Sequence, residues 1–122
     1  MKVAIPVDGQ DMNTTVCISF GRAPFFMIYD TDSKEHDFIN NSAAESQGGA
    51  GIKAAQAIVD NKVDVLLTPR CGENAAGVIK TAGIKLYKTG PQSAMDNINL
   101  FIAGDLPPLS EIHAGFHNRR GR

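Results

Sequence analysis

The sequence predicts an α/β domain in which a mixed five-stranded sheet lies between two layers of helices. Two observations carry this prediction. Five short apolar segments have the character of buried strands, and three further segments carry apolar residues at helical spacing. Their order along the chain is β-β-β-α-β-α-β-α. A length of 122 residues is enough to bury one core of this kind and suits a single domain.

The first three strands are predicted to form an antiparallel meander. The segments Lys2–Val7, Phe25–Asp30 and Glu35–Asn40 each have strand character. A polar loop over residues 8–15 follows the first strand, and the turn-rich spacer 31–34 joins the second to the third. We therefore expect the second and third strands to pair as a hairpin.

From residue 52 onward the pattern alternates between helix and strand. We predict a helix from Ile52 to Asn61 or Lys62, a strand over Val63–Leu67, a helix over Glu73–Ala82 closed by Gly83, a strand over Ile84–Tyr87, and a helix over Ser93–Ala103 capped by Ser93 and stopped by Gly104. Right-handed crossovers place the last two strands parallel to the first, with helices on both faces of the sheet. This arrangement is a ribonuclease H-like, three-layer α/β/α topology.

Composition narrows the class of protein. Pro107-Pro108 breaks any continuing helix, so we expect a folded domain over residues 1–109 and a flexible tail over residues 110–122. Outside this tail the chain has nine basic and twelve acidic residues, a balance that argues against nucleic-acid binding. Two cysteines and the lack of a long apolar run indicate a soluble cytoplasmic protein with reduced thiols and no membrane contact.

The two cysteines, Cys17 and Cys71, each follow a predicted parallel strand. If the two strands are neighbours, both thiols lie at one rim of the sheet, where ligands of open α/β sheets bind. Arg70 and the start of a helix predict a lowered pKa for Cys71, which favours the thiolate that a metal needs. The alternative is that each cysteine is a small buried apolar residue.

Other residues are predicted to reach the same rim and to favour an anionic guest. The candidates for contact with a bound cofactor are Arg22, Gly48, Gly49, Arg70 and Gly72. Glycines allow a ligand to approach the backbone, and the helices that begin at this rim offer unpaired N–H groups. The glycine pattern matches neither the phosphate-binding loop nor the dinucleotide fingerprint, so a nucleotide is not expected.

Two thiols cannot complete an iron–sulfur or structural zinc site. Further ligands must come from histidine, from a second subunit in a homodimer, or from the guest itself. His113 and His117 are weak metal-ligand candidates, since Gly115 lies between them and a solvated tail is the simpler interpretation. A preformed metal–sulfur cluster that brings its own sulfides solves the same problem.

The chain resembles the dinitrogenase iron-molybdenum cofactor biosynthesis family, which includes small cofactor carriers similar to NifX and the C-terminal part of NifB. The motifs that carry the resemblance are Phe20-Gly21-Arg22-Ala23-Pro24-Phe25-Phe26, Gly48-Gly49-Ala50-Gly51-Ile52 and Ala82-Gly83-Ile84-Lys85-Leu86-Tyr87. Many members have Ser-Glu-His before the Phe-Gly-Arg motif. This chain has Cys17-Ile18-Ser19 instead, so it lacks that histidine and gains a thiol.

The resemblance implies a protein that binds or carries an iron-, molybdenum- or related metal–sulfur cluster and exchanges it with cluster donor and acceptor proteins. It implies no catalysis, and no catalytic residues are predicted. Two other functions stay open: a thiol redox sensor or small regulatory binder using Cys17 and Cys71, and a Mg²⁺-dependent nuclease. The nuclease is disfavoured because the first strand contains no acidic residue.

Overall fold

The computed structural model describes residues 1–46 and 48–109 of the chain. Five strands form one sheet, and they are β1 (Lys2–Val7), β2 (Phe25–Asp30), β3 (His36–Asn40), β4 (Val65–Thr68) and β5 (Lys85–Lys88). Three α-helices and one short 3₁₀ helix connect or follow them: the 3₁₀ helix Ser42–Glu45, α1 (Ala50–Asp60), α2 (Glu73–Thr81) and α3 (Ala94–Ile102). The predicted mixed five-stranded α/β architecture with three α-helices is confirmed. The ribonuclease H-like label stays a prediction.

The order of strands across the sheet is β3-β2-β1-β4-β5. Strand β2 is antiparallel to both β1 and β3, which confirms the predicted meander. Strands β4 and β5 are parallel to each other, and β4 is parallel to β1. The carboxyl ends of β1, β3, β4 and β5 therefore share one edge, which we call the carboxyl rim.

Side chains along each strand alternate between the two faces of the sheet, and helices bury the apolar side chains on both faces. One face packs against α1 and α2 through Ala4, Phe26, Leu66 and Leu86. The other face packs against α3, and its residues include Ile5, Val7, Met27 and Leu67. The central strands β1 and β4 are buried on both faces, which explains their continuous apolar sequences.

The helix boundaries follow the predicted signals closely. Ser93 caps α3, since its hydroxyl accepts a hydrogen bond from the Asp96 N–H at 3.2 Å. Gly83 and Gly104 have positive φ values of 80° and 82° and lie just after α2 and α3, as the sequence predicts. Helix α1 begins at Ala50, two residues before the predicted start. Within residues 1–46 and 48–109, no helix is both long and apolar enough to cross a membrane.

The segment after α3 packs along the outer edge of β5, a feature that the sequence pattern did not predict. The Lys88 N–H donates to the Pro107 carbonyl at 2.8 Å, and the Leu109 N–H donates to the Leu86 carbonyl at 3.0 Å. Leu109 is buried against the α1 and α2 face. Residues 107–109 therefore belong to the described fold, and the division into a domain over residues 1–109 and a tail over residues 110–122 stays a prediction. His113 and His117 lie outside the described residues.

Candidate functional site

Pro6 determines which segment pairs with the end of β1. The parallel ladder between β1 and β4 joins Val3 to Val65 and Ala4 to Leu66 and goes no further. Proline has no N–H to extend a ladder. Residues 15–17 pair with β1 instead, because the Cys17 N–H donates to the Pro6 carbonyl at 2.9 Å. Cys17 therefore lies at the carboxyl rim, beside the end of β1.

The Cys17 side chain shares one face of this short ladder with Asp8 and Thr15. Val16 lies opposite Val7 and packs on the α3 face. The side chains of Thr15 and Cys17, on either side of Val16 in sequence, therefore point to the other face. The Thr15 hydroxyl donates to the Asp8 carboxylate. Cys17 is partly exposed, and its thiol contacts the Ser19 carbonyl at 3.5 Å. Burial raises the pKa of the Cys17 thiol; the contact with Ser19 opposes this rise and the Asp8 carboxylate adds to it.

Cys71 follows β4 and is buried, with only 1% of its surface exposed. It belongs to the core cluster between the sheet and helices α1 and α2, which also contains Phe20 and Ala75. Burial raises the pKa of its thiol to about 11, and a smaller effect of Lys80 opposes this. The prediction of a lowered pKa for Cys71 is therefore wrong, because burial of the thiol in apolar surroundings disfavours the charged thiolate. Its alternative interpretation, a small buried side chain, describes its packing.

The loop that contains Arg22 packs directly on the first turn of α1. A Cβ atom added to Gly21 would lie 2.9 Å from the Gly51 nitrogen and 3.2 Å from the Ala50 carbonyl carbon. Only glycine permits this approach of two backbones. The contact joins the Phe20-Gly21-Arg22 motif to the Gly48-Gly49-Ala50-Gly51 motif, although 30 positions separate Gly21 from Gly51.

Arg22 contacts the segment between the 3₁₀ helix and α1. Its Nη1 donates to the carbonyl oxygens of Ala44 at 2.8 Å and Ser46 at 2.6 Å. The Ser46 hydroxyl donates to the Gly48 carbonyl at 2.9 Å and accepts from the Lys53 ammonium at 2.8 Å. These bonds link two cationic side chains to the residues that precede α1.

A groove of about 330 Å³ lies between the 3₁₀ helix and α1. Its walls include Asn41, Glu45, Ser46 and Lys53, so it borders the segment that Arg22 contacts. Asn41 is buried, and its side-chain nitrogen donates to the carbonyls of Gly21 and Ala23 at 3.1 and 2.8 Å. This asparagine joins the Arg22 loop to the start of the 3₁₀ helix, a role that the sequence pattern did not predict.

The glycines predicted to contact a cofactor lie at the starts of α1 and α2. Gly49 caps α1 with a φ of 69°, a conformation that favours glycine, and Gly72 caps α2. Neither cap supplies a side-chain hydrogen bond, in contrast to Ser93 at α3. A Cβ at Gly48 would meet no atom within 4 Å. Both helices therefore begin at the carboxyl rim with N–H groups that their glycine N-caps leave without a side-chain partner.

Arg70 is exposed in the turn between β4 and α2, where the Thr68 hydroxyl bonds to its carbonyl at 2.9 Å. This hydrogen bond orders the turn that leads to Cys71. Asn97, on α3, is fully buried and organises the loop after β5. Its oxygen accepts from the Gly90 N–H at 2.8 Å, and its nitrogen donates to the Gln92 carbonyl at 3.0 Å. The sequence pattern did not predict this role of Asn97, although a polar residue at a core position of a helix is a signal for it.

The described part of the chain contains no group of three or more histidine, cysteine, aspartate or glutamate side chains that could hold a metal ion. Cys17 with Asp8 offers two ligand types at most, and Cys71 is enclosed. A bare metal ion therefore lacks a complete ligand set among these residues. An anionic guest that brings its own sulfur ligands needs fewer protein ligands and suits the N–H groups and cations of the rim.

Comparisons with known proteins find the same fold in proteins of similar length. The structure of the apo form of the orange protein from Desulfovibrio gigas superimposes with a TM-score of 0.85, at 27% identity, over 89% of this chain and 92% of that chain. An NMR structure of a Thermotoga protein whose description names NifB has a TM-score of 0.80 and 33% identity, over 98% of both chains. An uncharacterized protein of Methanocaldococcus jannaschii is 32% identical over 109 residues, 87% of this chain and 89% of the relative.

The family model described as dinitrogenase iron-molybdenum cofactor matches residues 1–104, which include β1 to β5 and all three α-helices. The three motifs that carry the sequence resemblance lie inside this match. With its fold shared by relatives across nearly their whole length, the chain belongs to the dinitrogenase iron-molybdenum cofactor family.

Proposed function

We propose that this protein binds and carries a metal–sulfur cluster containing iron, molybdenum or both, as a scaffold in cofactor assembly and without catalysis. Family membership supports a role associated with this cofactor. The cluster is the cargo of the protein. The sulfide ligands of such a cluster make it anionic, and an anion is suited to N–H donors and cations.

The observation that carries the proposal is a continuous set of contacts from a thiol to a cation. The Cys17 thiol contacts the Ser19 carbonyl, and the Ser19 hydroxyl accepts from the Arg22 N–H at 3.3 Å. Arg22 contacts Ser46, which contacts Lys53 in the first turn of α1. A cluster at this point of the carboxyl rim would meet a thiol, N–H groups at the start of α1 and the Lys53 ammonium.

Cys17 and Cys71 have different roles in the proposed binding of the cluster. Cys17 is partly exposed and is the thiol that a cluster reaches first. Cys71 is 1% exposed, so ligation by Cys71 requires the turn after β4 to open. We therefore propose Cys17 as the primary anchor and Cys71 as a second anchor engaged only after such an opening. Arg22, Gly48, Gly49, Arg70 and Gly72 remain proposed residues of the cluster-binding site.

The experiment is anaerobic reconstitution of the full chain with iron, sulfide and molybdate. Metal per chain and the visible spectrum are recorded after gel filtration. We expect Cys17→Ser to lower the retained metal at least threefold and Lys53→Gln to lower it less. Lys85→Gln is the matched control, because Lys85 is also exposed but begins β5 at the opposite edge of the sheet. Equal loading of the parent chain and Cys17→Ser would refute Cys17 as the anchor.

The wider setting of this function is also part of the proposal. A carrier needs proteins that donate and accept the cluster, and we propose such partners together with a cytoplasmic location. Pairing of two copies as a homodimer would pool their thiols. The same reconstituted samples test this, since light scattering during gel filtration gives the mass of the loaded species.

A further inference from the structure

Arg22 is exposed at the rim, yet its Nη1 bonds to the protein's own backbone. The two acceptors are the carbonyls of Ala44, 22 positions later, and of Ser46, 24 positions later. They lie at the end of the 3₁₀ helix Ser42–Glu45. Carbonyl groups at a helix end lack partners within the helix, and a guanidinium is well suited to bind them. Arg22 therefore fixes the end of this short helix.

The effect of Arg22 extends from the 3₁₀ helix to the start of α1. Ser46, held through its carbonyl by Arg22, donates its hydroxyl to the Gly48 carbonyl. The Lys53 N–H then donates to the Gly49 carbonyl at 3.0 Å. The positions of Gly48 and Gly49, which precede the first N–H groups of α1, thus depend on a segment that Arg22 holds.

We infer that Arg22 is a positioning residue for the anion site at the start of α1, and that Lys53 is the cation that contacts the cargo. This inference rests on the proposed function and assigns different roles to two residues of the same charge. The Nη1 of Arg22 is engaged by two carbonyls. Among the residues that the structure describes, the Nζ of Lys53 donates to one group, the Ser46 hydroxyl, which an anion can replace as a stronger partner.

The two roles predict different responses to a change that keeps the charge. Lysine at position 22 keeps the positive charge but has a shorter reach and lacks the planar fork of a guanidinium. A residue that acts through its charge alone would tolerate this replacement. A residue that holds two carbonyls would not.

The experiment compares Arg22→Lys, Arg22→Gln, Lys53→Gln and the control Lys85→Gln in the full chain. Amide hydrogen exchange is measured by NMR at Ala44 and Ser46, whose N–H groups donate to the Asn41 and Ala43 carbonyls at 3.1 and 3.0 Å. Metal uptake from iron, sulfide and molybdate is measured on the same samples. The exchange readout needs no cargo and is therefore independent of the proposed function.

We expect both Arg22 variants to exchange these amides at least tenfold faster than the parent and to retain at most a third of its metal. Lys53→Gln should lower metal retention while leaving exchange at both amides within twofold of the parent. Arg22→Lys that matches the parent in exchange and in loading would overturn the inference. If the parent takes up no metal, the proposed function is wrong, and exchange alone decides whether Arg22 holds the segment.

Discussion

The close approach of Gly21 to the first turn of α1 yields the sharpest test of the structure. Replacing Gly21 with alanine adds one Cβ atom, which would lie 2.9 Å from the Gly51 nitrogen and 3.0 Å from the Gly51 Cα. Both neighbours are backbone atoms inside or beside a helix, so neither can rotate away. The Arg22 loop must therefore move away from α1.

The cost of this movement can be estimated from overpacked protein cores. Such substitutions typically destabilise a protein by about 1–3 kcal/mol, and rigid neighbours on both sides place Gly21→Ala in the upper half of that range, about 2–3 kcal/mol. For a urea m-value of about 1.5 kcal/mol per molar, the midpoint of unfolding falls by roughly 1.3–2 M. Metal uptake should fall as well, because the loop carries Arg22.

Two other glycines provide graded controls in the same urea titration. A Cβ at Gly48 meets nothing within 4 Å, so Gly48→Ala should shift the midpoint by less than about 0.3 M. Gly49 has a φ of 69°, and alanine there should cost about 1–2 kcal/mol. If Gly21→Ala unfolds at the same urea concentration as Gly48→Ala, the two backbones are not in contact and the geometry of the site is wrong.

Three further predictions concern the thiols and the loop after β5. The pKa of the Cys71 thiol is raised in the folded protein, so its contribution to the free energy of unfolding is full below pH 9 and is lost as pH rises through about 11. Over this interval the parent should lose about 2–3 kcal/mol more than Cys71→Ala, as measured by urea unfolding at each pH. Asp8→Asn removes a negative charge that raises the pKa of Cys17, so more of the thiol is in the reactive thiolate form at pH 8. Iodoacetamide should then alkylate Cys17 severalfold faster, as followed by mass spectrometry, and an unchanged rate would argue against the Asp8 contact. Asn97→Ala leaves buried backbone groups without partners and should destabilise the fold by about 2–4 kcal/mol in thermal unfolding, whereas a loss below 0.5 kcal/mol would contradict the hydrogen bonds of this amide.

The sequence predicted those features of the fold that depend on local signals. Ser93 and Gly104 bound α3 as expected, because capping and the left-handed conformation depend on one or two residues. The parallel arrangement of β1 and β4 follows from the right-handed crossover rule. A common rim for the loops after these strands is a direct consequence of that topology.

The features that the sequence did not predict depend on contacts between distant residues. The direction of the Cys71 side chain is set by the turn after β4, and the amino-acid pattern does not reveal whether this turn points the thiol inward. Arg22 is predicted to contact a cofactor, and nothing in the sequence indicates that its Nη1 also bonds to the carbonyls of Ala44 and Ser46. The contact between Gly51 and Gly21 becomes visible only when the two loops that carry them are placed in space.

The last described residues have a consequence for how this protein is divided experimentally. The family match ends at residue 104, whereas Pro107 and Leu109 hydrogen-bond to β5. A protein shortened to residue 104 would lose these partners. The main-chain N–H and C=O groups along the outer edge of β5 would then be free to pair with another molecule. Expression designs that stop at residue 104 should therefore self-associate, whereas those that retain residue 109 keep that strand shielded.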